Sequence, residues 1–147
     1  MELHDGENLL VSACLLGEPC RYDGSSQPCA SVIALSSIHK LIPVCPELLG
    51  GLATPRPPAE IQPSGRVINK IGDDVTEAYA QGAQIAVDIA RSEGCRAAIL
   101  KSKSPSCGAY EIYDGSFNGT LLPGQGMAAA ALRAAGIVVT DENRLFA

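Results

Sequence analysis

Short apolar runs alternate along this 147-residue chain with segments of helical periodicity. The apolar runs cover residues 8–16, 41–44, 96–101 and 137–140, and the helical segments cover 31–39, 74–93 and 126–135. Strands that alternate with helices pair in parallel, and the helices cover the sheet. The sequence therefore predicts an α/β fold, a single Rossmann-like domain over residues 1–147 with a mainly parallel sheet and helices on both faces.

The segment 74–93 carries the clearest helical pattern in the chain. Apolar and small residues recur in steps of three and four, at Val75, Ala78, Gly82, Ile85 and Ile89. Asp74 followed by Glu77 predicts a capping box, and Gly94 predicts the end of the helix. The stretch 50–65, by contrast, is rich in proline and glycine and is predicted to be a long loop. Loops of that length often cover binding sites.

Composition and charge exclude several classes of function. The net charge is −5 and tryptophan is absent, whereas a nucleic-acid binder needs a basic surface with aromatic side chains for stacking. No apolar run approaches the roughly 18 residues that span a bilayer, and the acidic N-terminus is unlike a signal peptide. We therefore expect a cytoplasmic monomer or homodimer that binds neither a nucleic-acid polymer nor a membrane.

The six cysteines are the most informative side chains. No two of them form a C-x-x-C pair, which argues against zinc ribbons, thioredoxin-like proteins and the bacterial ferredoxin motif. Cys14 and Cys45 lie at the ends of predicted strands, and Cys107 lies in the loop after a third. Ligands of open parallel sheets bind at the carboxyl ends of the strands. These three thiols are expected to converge on one site. Cys95 is expected to be structural, Cys29 has no evident role, and the role of Cys20 stays open.

Polar candidates lie beside those cysteines. Glu47 is either an ordinary solvated carboxylate or a general acid or base near a metal site. The serines and lysines of the segment 101–108 (KSKSPSCG) form either a polar loop or a set of donors to a small ligand. Arg56, within the proline-rich loop, is either a surface charge or a residue that reaches over the site. No dinucleotide or P-loop motif is present, which argues against NAD and ATP.

Four segments together make the sequence recognisable. They are SACLLG-x-x-CRYDG, PVCPELLGGL-x-TPRPPAE, KSKSPSCG and a C-terminal NG-x-x-x-x-GQG followed by a helix and GI-V. Over about residues 10–139, the chain resembles the thiouracil desulfidase family and looks like a short, single-domain member. The resemblance implies a [4Fe–4S] cluster held by only three cysteines, which leaves one iron open for the sulfur of a thiolated pyrimidine such as 2-thiouracil. Sulfide would leave, and uracil would be the product.

The resemblance also implies roles for individual residues. Cys14, Cys45 and Cys107 would bind the cluster, and Glu47 and Ser104 would serve catalysis. Cys20 belongs to the same motif as Cys14, so the choice between these two cysteines rests partly on their expected positions. Thiolates are the usual ligands of iron–sulfur clusters, and such a cluster favours sulfur over oxygen.

Three other functions remain to be weighed. A non-catalytic iron–sulfur or sulfur carrier would use the same cysteines but would not need Glu47 or Ser104. A structural zinc site would need a fourth protein ligand, for which Cys20 is the nearest candidate. A thiol redox protein is disfavoured because no C-x-x-C pair is present.

Overall fold

The computed structural model describes residues 3–146. In chain order its helices and strands are β1 (Asn8–Ser12), α1 (Ala30–Ile33), β2 (Lys40–Val44), α2 (Pro46–Leu49), β3 (Ala59–Ile61), β4 (Val67–Asn69), α3 (Thr76–Ser92), β5 (Ala97–Leu100), β6 (Glu111–Tyr113), β7 (Leu121–Pro123), α4 (Met127–Ala134) and β8 (Val138–Asp141). Within this range, no helix is long and apolar enough to cross a membrane.

A four-stranded parallel sheet forms the centre of the fold. Its strand order is β2-β1-β5-β8, and all three pairings are parallel. Strand β1 pairs with β2 on one side, where Leu10 lies opposite Ile42, and with β5 on the other, where Leu10 lies opposite Ala98. The predicted fold class, a mainly parallel α/β sheet, is confirmed.

The sheet separates two apolar cores because successive strand residues point to opposite faces. On one face, Leu10 of β1 packs with residues of α3 and α4 such as Ala90 and Leu132. On the other face, Leu9 and Val11 pack with Val32 of α1. Each of these six side chains is fully buried. Helices therefore cover both faces of the sheet, as the sequence predicts.

The prediction of one strand over residues 8–16 is wrong in its second half. Strand β1 ends at Ser12, and Ala13–Leu16 form a 3-10 helix that ends at Gly17 with φ of 101°. A left-handed conformation of this kind costs glycine little. The turn places Cys14 beyond the strand end, inside the site, rather than within the sheet.

Two helix predictions also need correction. The segment 31–39 is a short α-helix, α1, followed by a 3-10 helix at Ala34–Ser37. Helix α3 begins at Thr76, and the predicted capping box is absent because no side chain caps its N-terminus. Asp74 instead accepts hydrogen bonds from the backbone N–H and the hydroxyl of Thr76 through Oδ1. The predicted end is correct, since Gly94 adopts φ of 67° directly after the helix.

Two small hairpins were not predicted. Strands β3 and β4 pair antiparallel, so the segment 50–65 is not loop throughout, and β6 pairs antiparallel with β7. Each of the four strands has three residues, which is too short for an alternating pattern to be seen in the sequence. Both hairpins lie beside the carboxyl ends of the central strands and form an outer wall of the site.

Helix α2 is held against α3 by a close backbone contact. A Cβ atom added at Gly82 of α3 would lie 1.9 Å from the carbonyl oxygen of Pro46, and one added at Gly50 would lie 2.0 Å from the carbonyl oxygen of Ala78. Both distances are far too short for a side chain, so glycine is required at both positions. This contact fixes the segment that carries Cys45 and Glu47.

Candidate active site

A cavity of about 400 Å³ opens at the carboxyl ends of the central strands. Its floor includes Ser12 of β1, Val44 of β2 and Lys101, which follows β5. Pockets for small ligands have volumes of roughly 300–1,000 Å³ and lie at this edge of open α/β sheets. The cavity therefore has the size and the position of a small-molecule site.

Four of the six cysteines line this cavity. They are Cys14, Cys20, Cys45 and Cys107, and all six cysteines are free of disulfides. The convergence predicted for Cys14, Cys45 and Cys107 is thus observed, and Cys20 joins them. Cys95 is buried in the apolar core at the other end of the sheet, and Cys29 lies at the N-terminus of α1.

The thiols are close enough to influence one another. The Cys45 thiol lies 3.8 Å from the backbone carbonyl of Cys20, and the thiol of Cys20 interacts with those of Cys14 and Cys45. Its hydrogen bond with Cys14, together with burial, raises the pKa of Cys20 to about 11. Hydrogen bonding to Cys20, burial and the charge of Glu47 raise the pKa of Cys45 as well. Burial and Glu47 raise the pKa of Cys107 to about 12. The cavity therefore disfavours bare thiolates and would favour them beside a positively charged metal centre.

The arrangement of ligands differs from that of a mononuclear site. Within residues 3–146, no three or more His, Cys, Asp or Glu side chains are grouped so that they could hold one metal ion. The four thiols instead border a cavity.

Glu47 occupies the centre of a buried polar network. It lies in the first turn of α2 and is 8% exposed. Its Oε1 atom accepts hydrogen bonds from the hydroxyl of Ser106 and, at 3.4 Å, from that of Ser104. Its Oε2 atom lies 3.5 Å from the thiol of Cys45. The carboxylate therefore joins the cysteine motif of β2 to the serine loop that follows β5.

Arg56 is the charged partner of Glu47. Its Nη2 atom lies 3.5 Å from Oε2 of Glu47, and the two side chains are 9% and 10% exposed. The same Nη2 atom donates to the carbonyl of Cys20 at 3.0 Å. Of the two interpretations of Arg56, the one in which it reaches over the site is therefore correct. Because the pair is buried, removal of either charge would leave the other uncompensated.

The serine loop is organised by its own hydroxyl groups. Ser104 Oγ accepts hydrogen bonds from the backbone N–H groups of Ser106 and Cys107, both at 3.1 Å. Ser106 is fully buried, and its hydroxyl also lies 3.5 Å from the thiol of Cys107. Gly126, which precedes α4, permits close packing, since an added Cβ would lie 2.4 Å from the carbonyl carbon of Ser106. The loop thus presents Ser104 and Cys107 to the cavity in fixed positions.

A second buried ion pair supports the start of this loop. Lys101 Nζ lies 3.0 Å from Oε2 of Glu142, and the two side chains are 15% and 13% exposed. Glu142 also accepts hydrogen bonds from the backbone N–H and the hydroxyl of Ser102, at 2.8 and 2.9 Å. Ser102 therefore anchors the start of the loop to Glu142 while it also lines the cavity.

Several residues at the site were not singled out from the sequence. Tyr79 of α3 lines the cavity, and burial together with the nearby Glu47 raises its pKa. Glu60, Phe117 and Glu142 likewise belong to the site or its support. Glu60 ends the motif TPRPPAE but was given no role, whereas Phe117 and Glu142 come from segments without a recognisable motif. For Tyr79 and Phe117 the only signal available was the scarcity of aromatic residues, which makes their concentration in one cavity informative.

Two comparisons with proteins of known sequence place the chain among relatives. A family model described as 2-thiouracil desulfurase matches residues 9–144. The uncharacterized protein YbbK of Bacillus subtilis (strain 168) is 42% identical over 146 residues, which covers 93% of this chain and 97% of YbbK.

A solved structure agrees with both comparisons. It is described as the [4Fe-4S]-dependent thiouracil desulfidase TudS, is 43% identical and has a TM-score of 0.86. The similarity covers 95% of this chain and 93% of that one. The resemblance noted in the sequence is thereby confirmed. With a family model that spans nearly the whole chain, the protein belongs to the 2-thiouracil desulfurase family.

Proposed function

We propose that this protein is an iron–sulfur enzyme that converts a thiolated pyrimidine such as 2-thiouracil into uracil and sulfide. The observation that carries the proposal is the cavity that four free thiols line together with a buried Glu47 and its serine partners. Membership of the desulfurase family and similarity to a protein described as [4Fe-4S]-dependent support the same activity and the same cofactor.

The donor set fits a [4Fe–4S] cluster. Thiolates are the usual protein ligands of such clusters, and this cavity is bordered by more thiols than the three that the proposal needs. Cys14, Cys45 and Cys107 would hold the cluster. Cys20 lies beside Cys14 and Cys45 and would remain free, within reach of the same site.

The proposed reaction needs no electron transfer. When bound, the cluster would supply an iron without a protein ligand, a Lewis acid for the thiocarbonyl sulfur. Glu47 would accept a proton from the water molecule that attacks the ring carbon. Water supplies the oxygen of uracil, and the C–S bond breaks with its electron pair on sulfur, so atoms and electrons balance. Ser104 would orient the substrate or return the proton, since its hydroxyl lies 3.4 Å from Oε1 of Glu47.

Arg56 and Ser106 would prepare Glu47 for this task. The guanidinium group lies 3.5 Å from Oε2, and the Ser106 hydroxyl fixes the orientation of Oε1. A carrier of clusters or sulfur would not need a buried carboxylate held in this way. The network therefore favours an enzyme over a non-catalytic carrier.

The cluster ligands are tested by alanine substitution of each cysteine under anaerobic conditions. Cys14→Ala, Cys45→Ala and Cys107→Ala should each abolish cluster binding, because three ligands leave no redundancy. Cys29→Ala is the control and should bind iron normally, since this residue lies outside the cavity. Iron and sulfide counts, with visible absorption, give the result. If Cys14→Ala kept a normal iron content and Cys20→Ala lost its iron, Cys20 rather than Cys14 would be the cluster ligand.

The catalytic roles are tested by Glu47→Gln and Ser104→Ala. Neither side chain is a proposed cluster ligand, so both variants should retain iron. Because glutamine cannot accept the proton, sulfide release from 2-thiouracil by Glu47→Gln should fall by roughly 10²–10⁴-fold per iron. Glu111→Gln, an exposed glutamate, is the matched control. Full activity in Glu47→Gln would exclude a general base at this position. A cluster-loaded, unmutated protein that is inactive on every thiopyrimidine would favour the carrier.

A further inference from the structure

Aromatic side chains are concentrated in the cavity to an unexpected degree. The chain contains four tyrosines, two phenylalanines and no tryptophan. Four of these six residues line the one cavity: Tyr22, Tyr79, Tyr113 and Phe117. The aromatic surface of the protein is thus placed where a ligand would bind.

Phe117 differs from the other three in its backbone. Its φ is 58°, and only one other non-glycine residue among residues 3–146, Lys103, has a positive φ. A bulky residue in this region is strained, and such strain is found most often at ligand sites. Lys103 also lines the cavity. Both strained residues therefore face the same space.

Phe117 is not explained by the packing of the protein. It is half-buried, yet it belongs to none of the three apolar clusters, each of which contains other partly buried side chains. A phenylalanine that serves only stability would be expected to pack in one of them. Its ring contributes to the wall of the cavity instead.

Glu60 holds Phe117 in this conformation. The Glu60 side chain is buried, and its Oε1 atom accepts hydrogen bonds from the backbone N–H groups of Gly115 at 2.9 Å and Phe117 at 3.1 Å. Gln62 donates to the carbonyl of Gly115 at 3.0 Å. The loop between β6 and β7 is thus anchored to β3, and the anchor compensates for the strain at Phe117.

We infer that Phe117 is a specificity-determining residue that stacks on the planar ring of the substrate, and that Glu60 is its positioning residue. This inference rests on the proposed function for the identity of the ring. Aromatic faces bind planar heterocycles by stacking. An apolar wall alone would not require an aromatic ring that is held in a strained conformation by an anchor. A saturated, puckered ring would lose this contact but would keep every hydrogen-bonding group.

The test compares the binding of uracil and 5,6-dihydrouracil to the cluster-loaded protein by calorimetry. The unmutated protein should bind the planar uracil on the order of 10-fold more tightly, the scale of one base–aromatic stack. Phe117→Ala should weaken uracil binding and remove most of this preference, and Phe117→Trp should restore it. Phe117→Gly should behave like Phe117→Ala, which would show that the ring, not the strained backbone, is responsible.

Controls separate a local effect from a loss of structure. Phe146→Ala removes the chain's other phenylalanine, which packs against the apolar cluster of β1 and α1 but does not line the cavity, and should leave the preference unchanged. Glu60→Ala should reproduce the loss seen in Phe117→Ala, and the double variant should show little further loss. Glu60→Gln keeps an acceptor oxygen and should be milder. Iron content should be normal in each variant.

The outcomes are distinguishable from a failure of the proposed function. An unchanged preference for uracil in Phe117→Ala would overturn the inference, as would equal binding of both rings by the unmutated protein. If the unmutated protein prefers uracil through Phe117 but releases no sulfide from thiopyrimidines, the inference stands and the proposed activity is wrong. In the desulfidase assay, the KM of Phe117→Ala should rise more than kcat falls.

Discussion

Glu47 shows how much of the site depends on hydrogen bonds to a single carboxylate. Its carboxylate contacts Ser104, Ser106, Cys45 and Arg56, and its side chain is almost fully buried. A buried charge is stable only when its partners compensate for the loss of water. Substitutions around Glu47 should therefore affect stability as well as catalysis.

The first prediction concerns Ser106. Ser106→Ala removes a fully buried donor to Glu47 and should lower the free energy of unfolding by about 1–3 kcal/mol, the range for a hydrogen bond to a buried charged group. Exposed Ser36→Ala should change it by less than about 0.5 kcal/mol. Urea unfolding of the iron-free proteins measures both. Equal stability of Ser106→Ala and the unmutated protein would mean that the bond contributes nothing.

The second prediction concerns Glu142 and acid. Burial opposes its ionisation, but the hydrogen bond from the backbone of Ser102 and the charge of Lys101 lower its pKa below the usual 4.5. The ionised carboxylate therefore stabilises the folded protein above that pH, and this contribution is lost as pH falls through the lowered pKa. Glu142→Gln should lose less stability than the unmutated protein between roughly pH 5 and 3.

Urea unfolding across this pH range tests the prediction for Glu142. Exposed Glu111→Gln, the matched control, should follow the unmutated protein. Identical slopes of stability against pH in Glu142→Gln and the unmutated protein would contradict the argument, because Glu142 would then not titrate differently in the folded and unfolded states.

At the scale of elements, the contact between α2 and α3 positions the segment that carries Cys45 and Glu47. Helix α2 has four residues and could not be stable alone, so its place depends on the glycine of α3 against which it packs. Cys45 precedes this helix and Glu47 lies in its first turn. A substitution in α3 at a residue outside the cavity should therefore still alter the positions of Cys45 and Glu47.

The third prediction is the result of Gly82→Ala. By helix propensity alone, this change inside α3 would stabilise the protein by about 1 kcal/mol. We expect the opposite, a loss of about 1–3 kcal/mol from overpacking, because the new Cβ would lie 1.9 Å from the carbonyl oxygen of Pro46. Iron content should also fall. Exposed Ala80→Gly should cost about 1 kcal/mol while iron content stays normal. A stabilised Gly82→Ala protein would refute the close contact.

The elements also show which parts of the fold are readable from sequence. Continuous apolar runs such as 97–100, within the predicted strand 96–101, indicated the buried central strands, because both faces of a parallel sheet are covered. Their order along the chain then placed Cys14, Cys45 and Cys107 at one edge. The two hairpins and α2 were missed because each has three or four residues per element, and their positions are fixed by tertiary contacts rather than by local periodicity.

The same distinction explains the site. Residues in motifs that follow central strands, such as Cys107 and Ser104, could be assigned to the cavity in advance. Arg56 approaches Glu47 from the proline-rich loop, and Glu142 approaches Lys101 from the C-terminal segment, 41 residues along the chain. No periodic pattern encodes such pairings. The partnership between Glu60 and Phe117 is hidden for the same reason.

At the scale of the whole molecule, the fourth prediction links the cluster to stability. A ligand that binds only the folded state raises its stability by mass action. Iron-loaded protein should therefore unfold at a higher temperature than iron-free protein, and Cys107→Ala should show no such difference. Both forms should unfold in one transition, as expected for a single domain over residues 1–147. Calorimetry under anaerobic conditions measures this, and two separate transitions would contradict the single domain.

The central claim is that this cavity hydrolyses a C–S bond without electron transfer. It is tested most directly by incubating cluster-loaded protein anaerobically with 2-thiouracil, without any added reductant or oxidant, and measuring both products. The account predicts uracil and sulfide in equal amounts over many turnovers, and neither product from the Cys107→Ala protein. Turnover that requires a reductant, or sulfide limited to the amount present in the cluster, would contradict it.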